Sequence, residues 1–184
     1  MVPAFITFGL IPLGGDFSDG NGGVIEVFGH QTLMQLANPD AGVLVTRVIT
    51  VKQAGNRRFV VVDAAMNDLI RPTLYDAYHE IWPVMEPSPG APPLTSDVVG
   101  PVCETGDYLA LDRTLPALQA GDLIAVMTAG AYGSVLASQY NSRLLVPEVL
   151  VAGDRYAVTR PRPSYGDMLA AERLPDWLKP ERRS

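Results

Sequence analysis

Apolar and polar positions between residues 42 and 163 fall into short runs separated by turn residues. Val43-Leu-Val-Thr-Arg-Val-Ile-Thr-Val51 is dense in β-branched side chains, and Phe59-Val-Val-Val-Asp63 repeats that density after Gly55-Asn56. Two such runs around a short glycine-containing loop predict a β-hairpin. Further runs predict strands over residues 79–85, 94–102, 108–111, 122–127, 145–151 and 156–159. Ala152-Gly-Asp-Arg155 predicts a second hairpin between the last two, and Glu86-Pro-Ser-Pro-Gly-Ala-Pro-Pro93 is a long Pro/Gly break. Many short strands at this spacing predict a mainly β fold, an antiparallel sandwich or barrel rather than a parallel α/β sheet. Short helices are predicted after Gly130-Ala-Tyr-Gly133 and over residues 165–173.

The flanks differ from this middle region. Residues 1–40 carry Gly14-Gly15, Gly20 and Gly22-Gly23 and read as an irregular, glycine-rich segment. A phosphate-cradling loop would need Gly-Lys-Ser/Thr after those glycines, and it is absent. Residues 164–184 read as a short helix and tail, expected to dock through Trp177 and fray beyond it.

Composition narrows the function classes. The 184 residues can hold one ordinary domain with a short appendage, and 47% hydrophobic against 18% charged residues is a globular balance. A net charge of −6 argues against a nucleic-acid partner, which needs concentrated Lys and Arg. No apolar stretch reaches the roughly 18 residues of a membrane-spanning helix, and the apolar start lacks a basic flank and contains Pro3 and Pro12, unlike a signal peptide. A soluble protein with no membrane partner is therefore expected. The single cysteine, Cys103, excludes an internal disulfide and fits a reducing, cytoplasmic setting. With only His30 and His79, a Ser-His-Asp triad or zinc cluster has little to build on.

Three segments carry chemistry. Gly100-Pro-Val-Cys-Glu-Thr-Gly106 sets a thiol beside a carboxylate, whose charge disfavours thiolate and suits Cys103 to giving a proton rather than attacking. The ordinary alternative is a buried small cysteine at a strand–loop junction. In Arg71-Pro-Thr-Leu-Tyr75 one helical turn would put a guanidinium and a phenol on one face, a good carboxylate receptor, with Pro72 tolerated early in the turn. The alternative is Arg71 salt-bridged to Asp68 or Asp76, with Tyr75 in the core. Tyr132 lies between small residues in Gly130-Ala-Tyr-Gly133, where it can meet a planar ligand or pack in a tight turn.

Taken in order, these segments resemble the C-terminal part of diaminopimelate decarboxylase, a pyridoxal-phosphate enzyme of the alanine-racemase-like fold class. The matching stretches include Ala41-Gly-Val-Leu-Val-Thr-Arg47, Met66-Asn-Asp-Leu-Ile-Arg-Pro72, Leu74-Tyr-Asp-Ala-Tyr-His79, Gly100-Pro-Val-Cys-Glu104, Gly130-Ala-Tyr-Gly133, Tyr140-Asn-Ser-Arg143 and Pro147-Glu-Val-Leu-Val151. The resemblance covers about residues 41–178 and implies a C-terminal Greek-key β-barrel over residues 41–163. It implies that Cys103 is the proton donor, that Arg71, Tyr75, Glu104 and Tyr132 bind the amino-acid substrate, and that Tyr132 also contacts the cofactor. The reaction implied is meso-diaminopimelate to L-lysine and carbon dioxide, in lysine biosynthesis, with the site completed in a homodimer.

The departures define the expectation. The family holds pyridoxal phosphate on a lysine of an N-terminal (β/α)8 barrel, whereas the only lysines here are Lys52 and Lys179, neither in that motif. Leu36-Ala-Asn-Pro39 stands where the family carries Glu-Pro-Gly-Arg with a substrate-binding arginine. The chain is therefore expected to be a fragment, inactive alone and dependent on a complementary cofactor-barrel domain. The alternative is a non-catalytic β-barrel interaction or dimerisation module derived from the family. In either case Ala4–Leu10 must fill the place of the family's N-terminal strand or leave a sheet edge open.

Overall fold

The computed structural model describes residues 31–35, 42–85, 90, 92–152 and 155–178. The strands are β1 (Gln31–Gln35), β2 (Val43–Ala54), β3 (Arg57–Val62), β4 (Ile81–Pro83), β5 (Leu94–Val99), β6 (Tyr108–Leu115), β7 (Leu123–Val126), β8 (Glu148–Ala152) and β9 (Arg155–Arg160). Between them lie the short helices α1 (Arg71–Tyr75) and α2 (Ala131–Leu136), with α3 (Tyr165–Ala170) following β9. The mainly β, barrel-like architecture expected from the sequence is the one observed.

One sheet runs β6-β5-β3-β2-β1-β8-β9, with β7 bridging β2 and β4. β2 is its hub. Its first half pairs with β1 and β7, and its second half pairs with β3. The β2–β3 ladder shifts register between Val48 and Thr50, beside the exposed Ile49, and such a bulge bends a strand so that its two halves can serve different partners. The β2–β3 hairpin turns at Gly55, whose φ of +60° is the left-handed conformation that glycine adopts without a Cβ clash.

The sheet is mixed rather than wholly antiparallel: β3–β5 and β1–β8 are parallel pairs. The long excursions between those strands, which carry α1 in one case and the rest of the sheet in the other, allow what a tight turn cannot. β1 falls inside the segment read as irregular. Gln31-Thr-Leu-Met-Gln35 has little strand signal of its own, and its ladders to β2 and β8 are non-local. Ala4–Leu10 lies outside the described residues.

Val60 and Val62 alternate with less buried neighbours, as period-2 patterning requires. They join Leu44, Val48, Leu69, Val98, Leu109, Ile124, Val126 and Val146 in one buried cluster. Each such side chain contributes about 1.5–3 kcal/mol of hydrophobic stabilisation. The tail differs from expectation: Trp177 is 83% exposed, on a turn that covers no core. α3 stops at Ala170, short of residue 173, although its start is firmly set by the reciprocal Ser164–Asp167 capping box. No helix among the described residues is long and apolar enough to cross a membrane.

Candidate functional site

The site grows from the turn that follows β3. Asp63 at the strand end accepts from Thr46 Oγ1 at 2.6 Å and from the Arg47 backbone N–H at 2.9 Å, which ties the turn to β2. Asp68 accepts from the Ala65 backbone N–H and from Asn67 Nδ2. Arg143 then clamps the turn from outside, donating to the Asp63 carbonyl at 2.6 Å and Asn67 Oδ1 at 2.8 Å, with Asp68 Oδ2 at 3.5 Å. Burial pushes the Asp68 carboxyl up to about 6, outweighing the bonds from Ala65 and Arg143 that oppose it.

This clamp delivers Arg71 as the first residue of α1, the single turn expected from the sequence, with Pro72 at its start. Asp68 is committed to Arg143, and Arg71 makes no ion pair with Asp68 or Asp76 among the described residues. Its guanidinium carbon lies 5.5 Å from the centre of the Tyr132 ring, a cation–π contact, and its Nε is buried without an acceptor. A guanidinium with no carboxylate partner among the described residues, beside a phenol, suits a carboxylate receptor. Tyr75, on the same turn, is 60% exposed rather than packed in the core.

Tyr132 is 66% exposed on α2. α2 is pressed against the Arg71 turn because Gly133 has no Cβ: one there would fall 3.1 Å from Leu69 Cδ1. The Asn67 side chain and carbonyl both bond the Ser138 backbone, closing the far end of α2 onto the same turn.

Cys103 and Glu104 lie on an exposed loop, not on a strand, because β5 ends at Val99 instead of continuing to residue 102. The loop lets neighbouring side chains escape the two-sided alternation a strand would impose. Cys103 is a free, exposed thiol. Glu104 bonds Thr105 Oγ1 at 3.0 Å and the Gly106 N–H at 3.5 Å rather than the neighbouring thiol, and the Thr105 bond holds its carboxyl below the usual range. Glu104 is thus an anion available to an amine.

The loop is fastened to α1, since Thr73 Oγ1 donates to the Gly106 carbonyl and a Cβ at Gly106 would fall 2.8 Å from Thr73 Cγ2. The segment bearing Cys103 and Glu104 and the turn bearing Arg71 and Tyr75 are therefore direct neighbours. On its other side the loop borders a cleft of about 370 Å³ that Arg57, Phe59 and Tyr108 also line, and that neither Arg71 nor Tyr132 reaches. Asp107, Asn67 and Arg143 hold these segments and were not singled out from sequence, since their partners lie 5 to 80 residues away. His79 precedes β4 instead of lying within it. It is buried, with Nδ1 2.8 Å from the Met127 carbonyl, and burial lowers its pKa, which keeps the ring neutral.

A flat cofactor needs a face to lie against and an amine to hold it. Tyr132 has an exposed ring, and among the described residues no amine stands beside it: Lys52 is on β2 opposite Phe59, and Lys179 lies outside the described residues.

Residues 19–130 match the family described as "Pyridoxal-dependent decarboxylase, C-terminal sheet domain". The chain is 53% identical over 139 residues to the diaminopimelate decarboxylase of Zymomonas mobilis, covering 76% of this chain and 32% of that protein. It is also 53% identical over 136 residues to that of Archaeoglobus fulgidus, covering 74% of this chain and 32% of that protein. Among solved structures, diaminopimelate decarboxylase from M. jannaschii superposes with a TM-score of 0.72 at 31% identity, covering 78% of this chain and 32% of that one. The Helicobacter pylori enzyme complexed with L-lysine gives 0.66 at 44% identity, covering 73% and 32%. The chain thus spans about 32% of the length of the curated relatives it matches. In sequence and in sheet architecture alike, it belongs to the pyridoxal-dependent decarboxylases, through their C-terminal sheet domain.

Proposed function

We propose that this chain supplies the proton-giving and substrate-gripping share of a diaminopimelate decarboxylase site, releasing carbon dioxide and L-lysine. The observation that carries the reading is Arg71: a guanidinium stacked on Tyr132, with no carboxylate partner among the described residues, on a turn fastened to the Cys103–Glu104 loop. Arg71 and Tyr75 hold a substrate carboxylate. The ionised Glu104 receives the distal ammonium, which makes a long diamino acid a better occupant than a short one. When the bond to the departing carboxyl group breaks, its electron pair stays on the substrate carbon, and Cys103 Sγ gives that carbon a proton. Pyridoxal phosphate, when bound, supplies the electron sink for that pair, with Tyr132 as its contact on this chain.

The cofactor lysine comes from a complementary (β/α)8 barrel domain or a second subunit, against the face where Leu74, Tyr75, Tyr132 and Val135 are exposed. The assembly works in the cytoplasm, where an exposed lone cysteine stays a thiol. The test mixes the purified chain with a separately produced cofactor-barrel domain and measures labelled CO2 released from diaminopimelate. The mixture releases it, the chain alone does not, and Cys103→Ala lowers kcat by about 10²–10⁴-fold. Release by the chain alone, or an unchanged rate in C103A, overturns the reading. A chain that binds the barrel domain without supporting turnover is a non-catalytic module.

A further inference from the structure

We infer that Asp107 is a positioning residue that locks the Cys103–Glu104 loop to the turn carrying Arg71, and so fixes the span between the two grips on the substrate. The inference rests on the functional reading above, which gives those two segments their roles.

Four bonds converge on this one residue. The Asp107 carboxylate, 4% exposed, accepts from the Val102 backbone N–H at 2.5 Å, inside the cysteine loop. Its other oxygen accepts from the Met66 backbone N–H at 2.7 Å, in the turn that delivers Arg71. Its own N–H donates to the Glu104 carbonyl at 3.1 Å, and its carbonyl accepts from the Gly100 N–H at 3.0 Å. The loop from Gly100 to Asp107 is thereby closed on itself and tied across to a segment about 40 residues earlier. Gly100 leaves the room: a Cβ there would fall 2.5 Å from both carboxylate oxygens.

Asp107 touches neither end of the substrate. A carboxylate is nonetheless the one side chain of this size that accepts at both oxygens, and each acceptor here serves a different site-bearing segment. An asparagine would turn an N–H toward one of the two backbone donors and break one tether.

The test uses the whole chain. In Asp107→Asn, hydrogen exchange at the Met66 or the Val102 amide quickens by about tenfold, the loss expected for a buried hydrogen bond to a charged acceptor, while the Val60 and Leu109 amides keep their protection. At a fixed pH the rate of Cys103 alkylation by iodoacetamide moves toward that of a free peptide spanning residues 100–107. Asp97→Asn is the control. Asp97 is equally buried and accepts from Arg57 and the Asp112 N–H, so its loss lowers overall stability and leaves the Met66 and Val102 amides protected.

Should D107N fail to fold, Gly100→Ala displaces the same carboxylate by steric contact and gives the same local exchange. Unchanged protection at both Met66 and Val102, a Cys103 alkylation rate identical in parent and variant, or equal effects of D97N and D107N on the loop would overturn the inference. None of these readouts requires turnover, so a failed decarboxylation assay and a failed positioning role are told apart.

Discussion

Arg71 holds its guanidinium carbon 5.5 Å from the centre of the Tyr132 ring, and two separate elements have to be fixed for that contact to exist. Arg71 sits on α1, set by the Arg143 clamp, and Tyr132 sits on α2, set by the close approach of Gly133 to Leu69. Replacing Arg71 by lysine keeps the charge but loses the planar fork and the flat face that stacks. In the assembly with a cofactor-barrel domain, Arg71→Lys is expected to raise KM about ten- to a hundredfold, the cost of one charge-assisted hydrogen-bonded contact. A steady-state titration with diaminopimelate checks it, and the melting temperature of the chain should hardly move.

Gly42 meets Gly130 where β2 begins and α2 is about to start. A Cβ at Gly42 would fall 2.3 Å from Gly130 Cα, and the Gly42 carbonyl accepts from the Ala129 N–H at 2.7 Å. Backbone cannot swing away as a flexible side chain does, so Gly42→Ala forces the two segments apart. A loss of about 1–3 kcal/mol, the usual cost of overpacking, should appear in urea unfolding, along with altered fluorescence quenching of the tyrosines as α2 shifts.

β2 and β3 were legible in the sequence because β-branched runs on either side of Gly55-Asn56 encode strand and turn locally. β6 was legible only in its first half. Asp112-Arg113-Thr114 reads as polar loop, yet Arg113 and Thr114 pair with Ser96 and Thr95 of β5, a partner no local pattern announces. The individual candidate residues were visible as residue types: a thiol beside a carboxylate, an arginine four residues from a tyrosine. What was not visible is what holds them, since Asp107 bonds Met66 across 41 positions and Arg143 bonds Asp63 across 80. Nor could sequence show that Asp68 lies against Arg143, or that Arg71 makes no ion pair with it among the described residues.

Leu69 has no exposed surface, and its Cδ1 supports Gly133 from below, so it belongs to the core and the site at once. Leu69→Ala should cost about 2–5 kcal/mol, as buried leucine truncations do. Leu69→Met, which nearly conserves volume, should cost less than about 1.5 kcal/mol. Chemical denaturation of both variants checks the pair. A similar loss in each would mean that shape at this position, rather than filled volume, supports α2.

Asp68 gives stability a pH dependence whose sign runs against the usual one for a salt-bridged aspartate. Its ordinary carboxyl value is 3.8, and burial raises it to about 6 in the folded chain. Between those values the folded state binds a proton that the unfolded state has released, so stability from this group is fully present below pH 3.8 and is lost as pH rises through 6. The full difference is on the order of 3 kcal/mol. Other carboxylates titrate in the same window, so the comparison must be with Asp68→Asn, which removes this group's titration alone. Urea midpoints at pH 4 and pH 7 should show the parent gaining on the variant at the acidic end. A pH-independent difference between the two would mean that burial and the Arg143 contact cancel, and a parent that gains on the variant at pH 7 instead would mean that the Arg143 contact governs this carboxyl.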